Sequence, residues 1–151
     1  MRGPSAGSSP IVNAMARPAR HRDAGLHLPG LHPGDRQRVG LEGYPALLAR
    51  EVLGARSYKS DDRARQTPER LAARKELVDA LERGRTRLGV RLQLNSPQRD
   101  ELVADASGDR LDAALCLVQA AWASTRPQHG LPSNIDPLEG WIVSAPPASP
   151  H

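Results

Sequence analysis

Asp109-Arg110-Leu111-Asp112-Ala113-Ala114-Leu115-Cys116-Leu117-Val118-Gln119-Ala120-Ala121-Trp122-Ala123 is the stretch whose reading decides the fold. After Asp112 it is apolar nearly all round, which predicts a helix buried on most of its faces. Ser107-Gly108-Asp109 before it reads as a helix start, with small polar residues leading into an acidic first turn. A buried helix needs other elements to cover it, so the chain must supply a second layer.

Working upstream, Thr67-Pro68-Glu69 predicts a second helix. Thr67 suits the N-cap, Pro68 the first turn, and Glu69 the positive helix end. Leu71, Leu77, Val78 and Leu81 form its stripe, and Gly84 stands near its end. Val39 to Tyr44 reads as a short strand closed by Pro45, followed by a short helix over 46–53 and Gly54. Leu88, Val90, Leu92 and Leu94 alternate with Gly89, Arg91 and Gln93, a period of two that suits a short extension or a strand. Pro97 opens another short helix. Leu138 to Val143 is a final strand or hook, and the tail from 145 to 151 is Pro-rich.

Residues 1–38 are rich in Gly, Pro, Ser, Arg and His and show no apolar periodicity, so they are expected to be disordered. The expected division is a disordered segment 1–38, one domain over 39–144, and a flexible tail 145–151. No run approaches ~18 apolar residues, so no membrane span is expected. There is no apolar h-region of the kind a secretory signal carries. The single cysteine, Cys116, lies in the apolar run and reads as a small buried hydrophobe, which suits a reduced cytoplasmic setting. The five histidines show no metal-ligand spacing, so zinc is not expected.

The net charge of +4 is unevenly spread. Residues 50–91 hold 12 basic and 7 acidic side chains, whereas 92–151 hold 3 and 7. A basic middle beside an acidic third is compatible with a polyanion bound near a metal site, although charge alone favours an ordinary solvated surface. Arg50, Arg56, Tyr58, Lys59 and Arg63 are the candidate nucleic-acid contacts, with Tyr58 a candidate for base stacking.

Asp109 and Asp112 are spaced i, i+3, which sets two carboxylates on one helix face. Two ionised carboxylates suit Mg²⁺ or Mn²⁺, and Glu42 at a strand end is the candidate third ligand. Two such ions about 4 Å apart would clamp the attacking and leaving oxygens of a phosphodiester. The same spacing is also ordinary first-turn capping chemistry.

Four segments carry a further signal: LEGYPALLAREVLGARSYKSDD, QTPERLAARKELVDAL, SGDRLDAALCLVQAAWA and GLPSNIDPLEGWIV. In order and spacing, from about Val39 to Val143, they resemble an uncharacterised bacterial family of predicted RNase H-like nucleases. The resemblance implies an α/β fold and divalent-metal-dependent hydrolysis of nucleic acid. Glu42 would be the middle acid, and Asp109 and Asp112 the late helical acids. It also implies an Asp on an apolar first strand. Residues 1–38 show no such strand, and Asp23 and Asp35 sit in polar surroundings. The expectation is therefore an incomplete RNase H-like fold, mostly helical with two or three short strands. Its nuclease activity would be impaired, and self-association or a partner chain would complete the sheet. The alternative is a non-catalytic remnant that binds nucleic acid or a protein partner.

Overall fold

The computed structural model describes residues 11–15 and 25–146, with only the backbone described for 11–15. It is a mixed α/β fold. The strands are β1 (Ile11–Met15), β2 (Leu26–Leu28), β3 (His32–Pro33) and β4 (Asp35–Glu42). The helices are α1 (Pro45–Leu53), α2 (Pro68–Arg83), α3 (Ser96–Ala104) and α4 (Asp109–Ser124), with short 3₁₀ turns at Arg63–Arg65 and Pro127–Gly130.

The sheet runs in the order β1-β4-β2-β3. β4 lies parallel to β1, with Asn13 opposite Gly40 and Met15 opposite Glu42. On its other edge β4 is parallel to β2, which turns back into antiparallel β3. The C-terminal hook adds one parallel bridge, Ile142 to Glu42, where the Val143 amide donates to the Glu42 carbonyl at 2.7 Å.

This corrects the boundary expected at residue 38. Strand structure occupies 26–28, 32–33 and 35–38, and a strand also lies at 11–15. The reason is physical: Asp35 to Arg38 are exposed, so that half of β4 has no apolar signature, although its backbone pairs with β1 at Arg38 and with β2 at Asp35. β1 reads Ile-Val-Asn-Ala-Met and contains no acid. The segments 1–10, 16–24 and 147–151, including Asp23, His21 and His151, lie outside the described residues.

The helices follow local chemistry. α2 is capped by the Thr67 hydroxyl, which accepts from the Arg70 amide at 3.4 Å, and closes at Gly84 in the left-handed conformation. α3 starts with a capping box, in which Asn95 and Gln98 each bond the other's backbone. The alternating Leu88 to Leu94 segment does not form a strand. It runs beside α2, with the Leu92 amide bonded to the Leu81 carbonyl at 3.0 Å, and tucks its leucines against the helical core.

α4 lies between layers, with β1 and the sheet on one side and α1 and α3 on the other. The larger core joins Leu48, Leu53, Tyr58, Leu77, Val78, Leu81, Leu111, Leu115 and Val118. A smaller one joins Val39, Leu41, Ala123 and Val143, and Trp122 packs against both. No helix among the described residues is long and apolar enough to cross a membrane.

Candidate functional site

The site is built where the loop after α1 meets the start of α4. Gly54 ends α1, and the chain crosses back toward the α4 N-terminus. The Ser60 amide donates to the Ala106 carbonyl at 3.1 Å, docking the loop on the α3–α4 connection. Gly108 permits the close approach. It sits at φ +78°, and a Cβ there would lie 2.6 Å from the Lys59 Cβ. Any larger residue before Asp109 would push Lys59 off the helix start.

Three side chains then converge. The Tyr58 hydroxyl donates to Asp112 Oδ1 at 2.5 Å, and Lys59 Nζ forms an ion pair with Asp112 Oδ2. The Lys59 ammonium also lies 5.7 Å from the Tyr58 ring centroid, within cation–π range. Burial, then the hydrogen bond and the charge of Asp112, push the Tyr58 phenol well above its ordinary range, so it stays a donor. Cys116, half-buried one turn along α4, is also pushed up by burial and by Asp112, and is a neutral thiol.

A buried arginine fixes this loop from beneath. Arg74, on the inner face of α2, donates to the Tyr58 carbonyl at 2.9 Å and to the Val103 carbonyl at 2.7 Å. Desolvation lowers its pKa, while Asp105 favours the charged form. Asp105 caps the start of α4, accepting from the Arg110 amide at 2.9 Å and the Ser107 hydroxyl at 2.7 Å.

Above this network lies an open groove of 540 Å³, with Tyr44, Arg50, Arg56, Tyr58, Lys59 and Asp112 among its walls. Arg50 is exposed on α1. Arg56 reaches the groove while its guanidinium grips Glu76 with two bonds, at 2.8 and 2.9 Å. Arg63 is exposed on the 3₁₀ turn and does not line the groove. Tyr58 is only 7 % exposed and its hydroxyl is engaged, which corrects its reading as a stacking platform. Tyr44, 40 % exposed, presents the accessible aromatic ring instead.

The three acids expected to share a cation do not gather. Glu42 lines a small apolar cavity with Leu28, Leu131, Ile135 and Trp141, and points toward Gly140. Asp109 is exposed and accepts from the Ser107 hydroxyl at 3.2 Å. Asp112 is spent on Lys59 and Tyr58. Among the described residues no three His, Cys, Asp or Glu side chains form a group able to hold a metal ion. The expected Mg²⁺ or Mn²⁺ set of Glu42, Asp109 and Asp112 therefore does not fit this geometry, and no chemical step is routed through such an ion.

Arg74 and Gln119 escaped the reading by residue type. Each left a trace, because each is a polar residue interrupting an apolar helix face. Gln119 is fully buried. Its amide accepts from the Tyr44 N–H at 3.1 Å and donates to the Val143 carbonyl at 3.2 Å and the Ser144 hydroxyl at 3.0 Å. One residue thus ties α4 to the start of α1 and to the C-terminal hook. Comparison with protein-family models, with curated proteins and with solved structures found no match for this chain.

Proposed function

We propose that this chain is an RNase H-like relative that binds the nucleic-acid backbone in the Tyr44–Lys59–Asp112 groove and does not hydrolyse it unaided. What carries the reading is the placement of Asp112. Its carboxylate is neutralised by Lys59 and Tyr58 at the edge of a groove that also displays Arg50 and Arg56. An acid paired in this way is a poor metal ligand but a good anchor for a lysine that meets phosphate.

The resemblance supports the same place. Two of the four segments that carry it, LEGYPALLAREVLGARSYKSDD and SGDRLDAALCLVQAAWA, together supply every wall of this groove. Arg50 and Lys59 would contact successive phosphates, Arg56 would add a tethered charge, and Tyr44 would pack against sugar or base. No donor set for base-edge reading stands out, so binding should be indifferent to sequence.

The test is fluorescence anisotropy with labelled duplex and single strands across a salt series. Two or three phosphate contacts give a slope of log K against log salt of about −2 to −3. The double variant Arg50→Ala, Lys59→Met should shallow that slope by roughly 2. Binding that ignores both substitutions overturns the reading. Mn²⁺-dependent cleavage abolished by Asp112→Asn would overturn the non-hydrolytic part and restore the metal nuclease.

A further inference from the structure

The groove along α1 has two unlike parts. Residues from the start of the helix, Tyr44, Ala46 and Ala49, give it an apolar wall, and Arg50, Arg56 and Lys59, from the end of the helix and the loop beyond, give it a cationic one. A groove that met phosphate alone would need the second part and not the first. Of the chain's four aromatic side chains, Tyr44 is the one that is exposed. Its backbone is nevertheless fixed. The Tyr44 N–H donates to the buried Gln119 amide at 3.1 Å, and Pro45 confines Tyr44 to the extended conformation it adopts, φ −133° and ψ 93°. A ring held from behind loses little freedom when a flat partner packs on it.

Resting on the phosphate groove proposed above, we infer that its ligand is single-stranded nucleic acid, with one unpaired base lying against Tyr44 over Ala46 and Ala49 while the flanking phosphates meet Arg50 and Lys59. A base needs an apolar platform with space above it. Ala46 and Ala49 are three residues apart, on one face of α1, and their single methyl groups leave that space open. Arg50 lies one turn on from Ala46, about 6 Å along the axis, so a base on this floor carries its phosphate toward the guanidinium. Arg50 makes no ion pair among the described residues, whereas Arg56 is tied to Glu76 and Lys59 to Asp112.

Size and chemistry favour a strand over a duplex. The groove's 540 Å³ falls within the roughly 300–1,000 Å³ of sites that enclose one small molecule, which suits a nucleotide turned out of its stack. A duplex keeps the faces of its bases stacked inside and offers mainly phosphate and sugar, which would leave the apolar wall without a partner. An unpaired strand can lay a base on an aromatic ring. Every base has a flat face, so the contact selects for unpaired nucleotides and not for sequence.

The experiment titrates the full chain by fluorescence anisotropy, at one salt concentration, with three probes of equal length: a deoxythymidine strand, its duplex with deoxyadenosine, and an abasic strand. The deoxythymidine strand should bind about tenfold more tightly than the other two. Tyr44→Ala should remove that advantage, and Tyr44→Phe should keep it. Ala46→Leu, which fills the floor and touches no charge, should also remove it. None of the three substitutions should change the salt slope, because Arg50 and Lys59 are intact. If the Ala and Leu variants fold poorly, the abasic strand decides on the unaltered chain. A duplex or an abasic strand bound as tightly as the deoxythymidine strand overturns the inference and leaves the phosphate groove standing. So does full single-strand affinity in a folded Tyr44→Ala protein. Absence of salt-sensitive binding to all three probes overturns both. Displacement of the strand by an equal length of polyglutamate would assign the groove to an acidic protein partner instead.

Discussion

Replacing Gln119 by Leu tests whether one buried amide holds the C-terminal hook and the entry to α1 against α4. The two side chains are similar in volume, so no large cavity forms, and the cost falls on the partners left behind. The Val143 carbonyl and the Ser144 hydroxyl belong to residues that are almost completely buried, and both lose the amide N–H that donates to them. A buried polar group orphaned in this way costs about 1–3 kcal/mol. The Tyr44 amide sits at a partly exposed helix start, where water replaces the lost acceptor for roughly 0.5 kcal/mol. Against this, Leu avoids desolvating an amide and gains about 1–2 kcal/mol. The net loss is about 2 kcal/mol, a large share of a typical domain's 5–15 kcal/mol. Urea unfolding followed by circular dichroism should show the midpoint falling by roughly 1 M with the slope unchanged. Hydrogen exchange should localise the damage, speeding the Val143 amide that pairs with Glu42 while leaving the middle of α2 protected. A Gln119→Leu protein as stable as the parent would refute the reasoning, because it would mean the three bonds contribute nothing net.

Arg74→Met removes the two bonds to the Tyr58 and Val103 carbonyls and returns the desolvation cost of a guanidinium. The expected loss is about 1–3 kcal/mol in urea unfolding, with faster exchange of the Ser60 amide and weaker nucleic-acid binding as the Lys59 loop loosens. Asp105 responds to pH. Burial raises its pKa, but the Arg110, Ser107 and Gly108 backbone amides and the Ser107 hydroxyl outweigh that and hold it below the ordinary 3.8. Its stabilisation is therefore complete above that value and is lost as pH falls through the depressed one. Acid unfolding of Asp105→Asn should be flatter than the parent's below pH ~4, and an unchanged acid limb would count against the cap.

Local chemistry was readable from residue types alone. Thr67, Pro68 and Gly84 mark both ends of α2 because capping depends on residues within one turn. The apolar run of α4 announced its burial for the same reason. The Leu88–Leu94 alternation suited a short extension or a strand, and the segment is irregular, its alternate apolar residues packed against the helical core and not paired in a sheet. β1 to β3 are five, three and two residues long, and half of β4 is polar. Strands so short are specified by their partners and not by their own pattern. In the site, Tyr58, Lys59 and Asp112 could each be singled out, but the bonds joining them span 53 and 54 residues. Composition could not say that Lys59 would occupy Asp112, nor that Glu42 would face Gly140 and Trp141.

The acid pair on α4 takes a different meaning once its neighbours are placed. Asp112 and Gln119 are seven residues apart, two turns of helix, and so lie on one face about 10 Å from each other. The first holds the Tyr58–Lys59 loop, and the second holds Tyr44 at the start of α1. Tyr44, Tyr58 and Lys59 are walls of the same groove. One face of one helix therefore closes the core and shapes the groove with the same polar atoms. An acid at position 112 is needed to anchor that loop whether or not a metal is ever bound. On the proposed reading, a loop anchored in this way would present Lys59 to an incoming phosphate, and the lysine and its neighbouring arginines, not the carboxylates, would give the groove its chemistry.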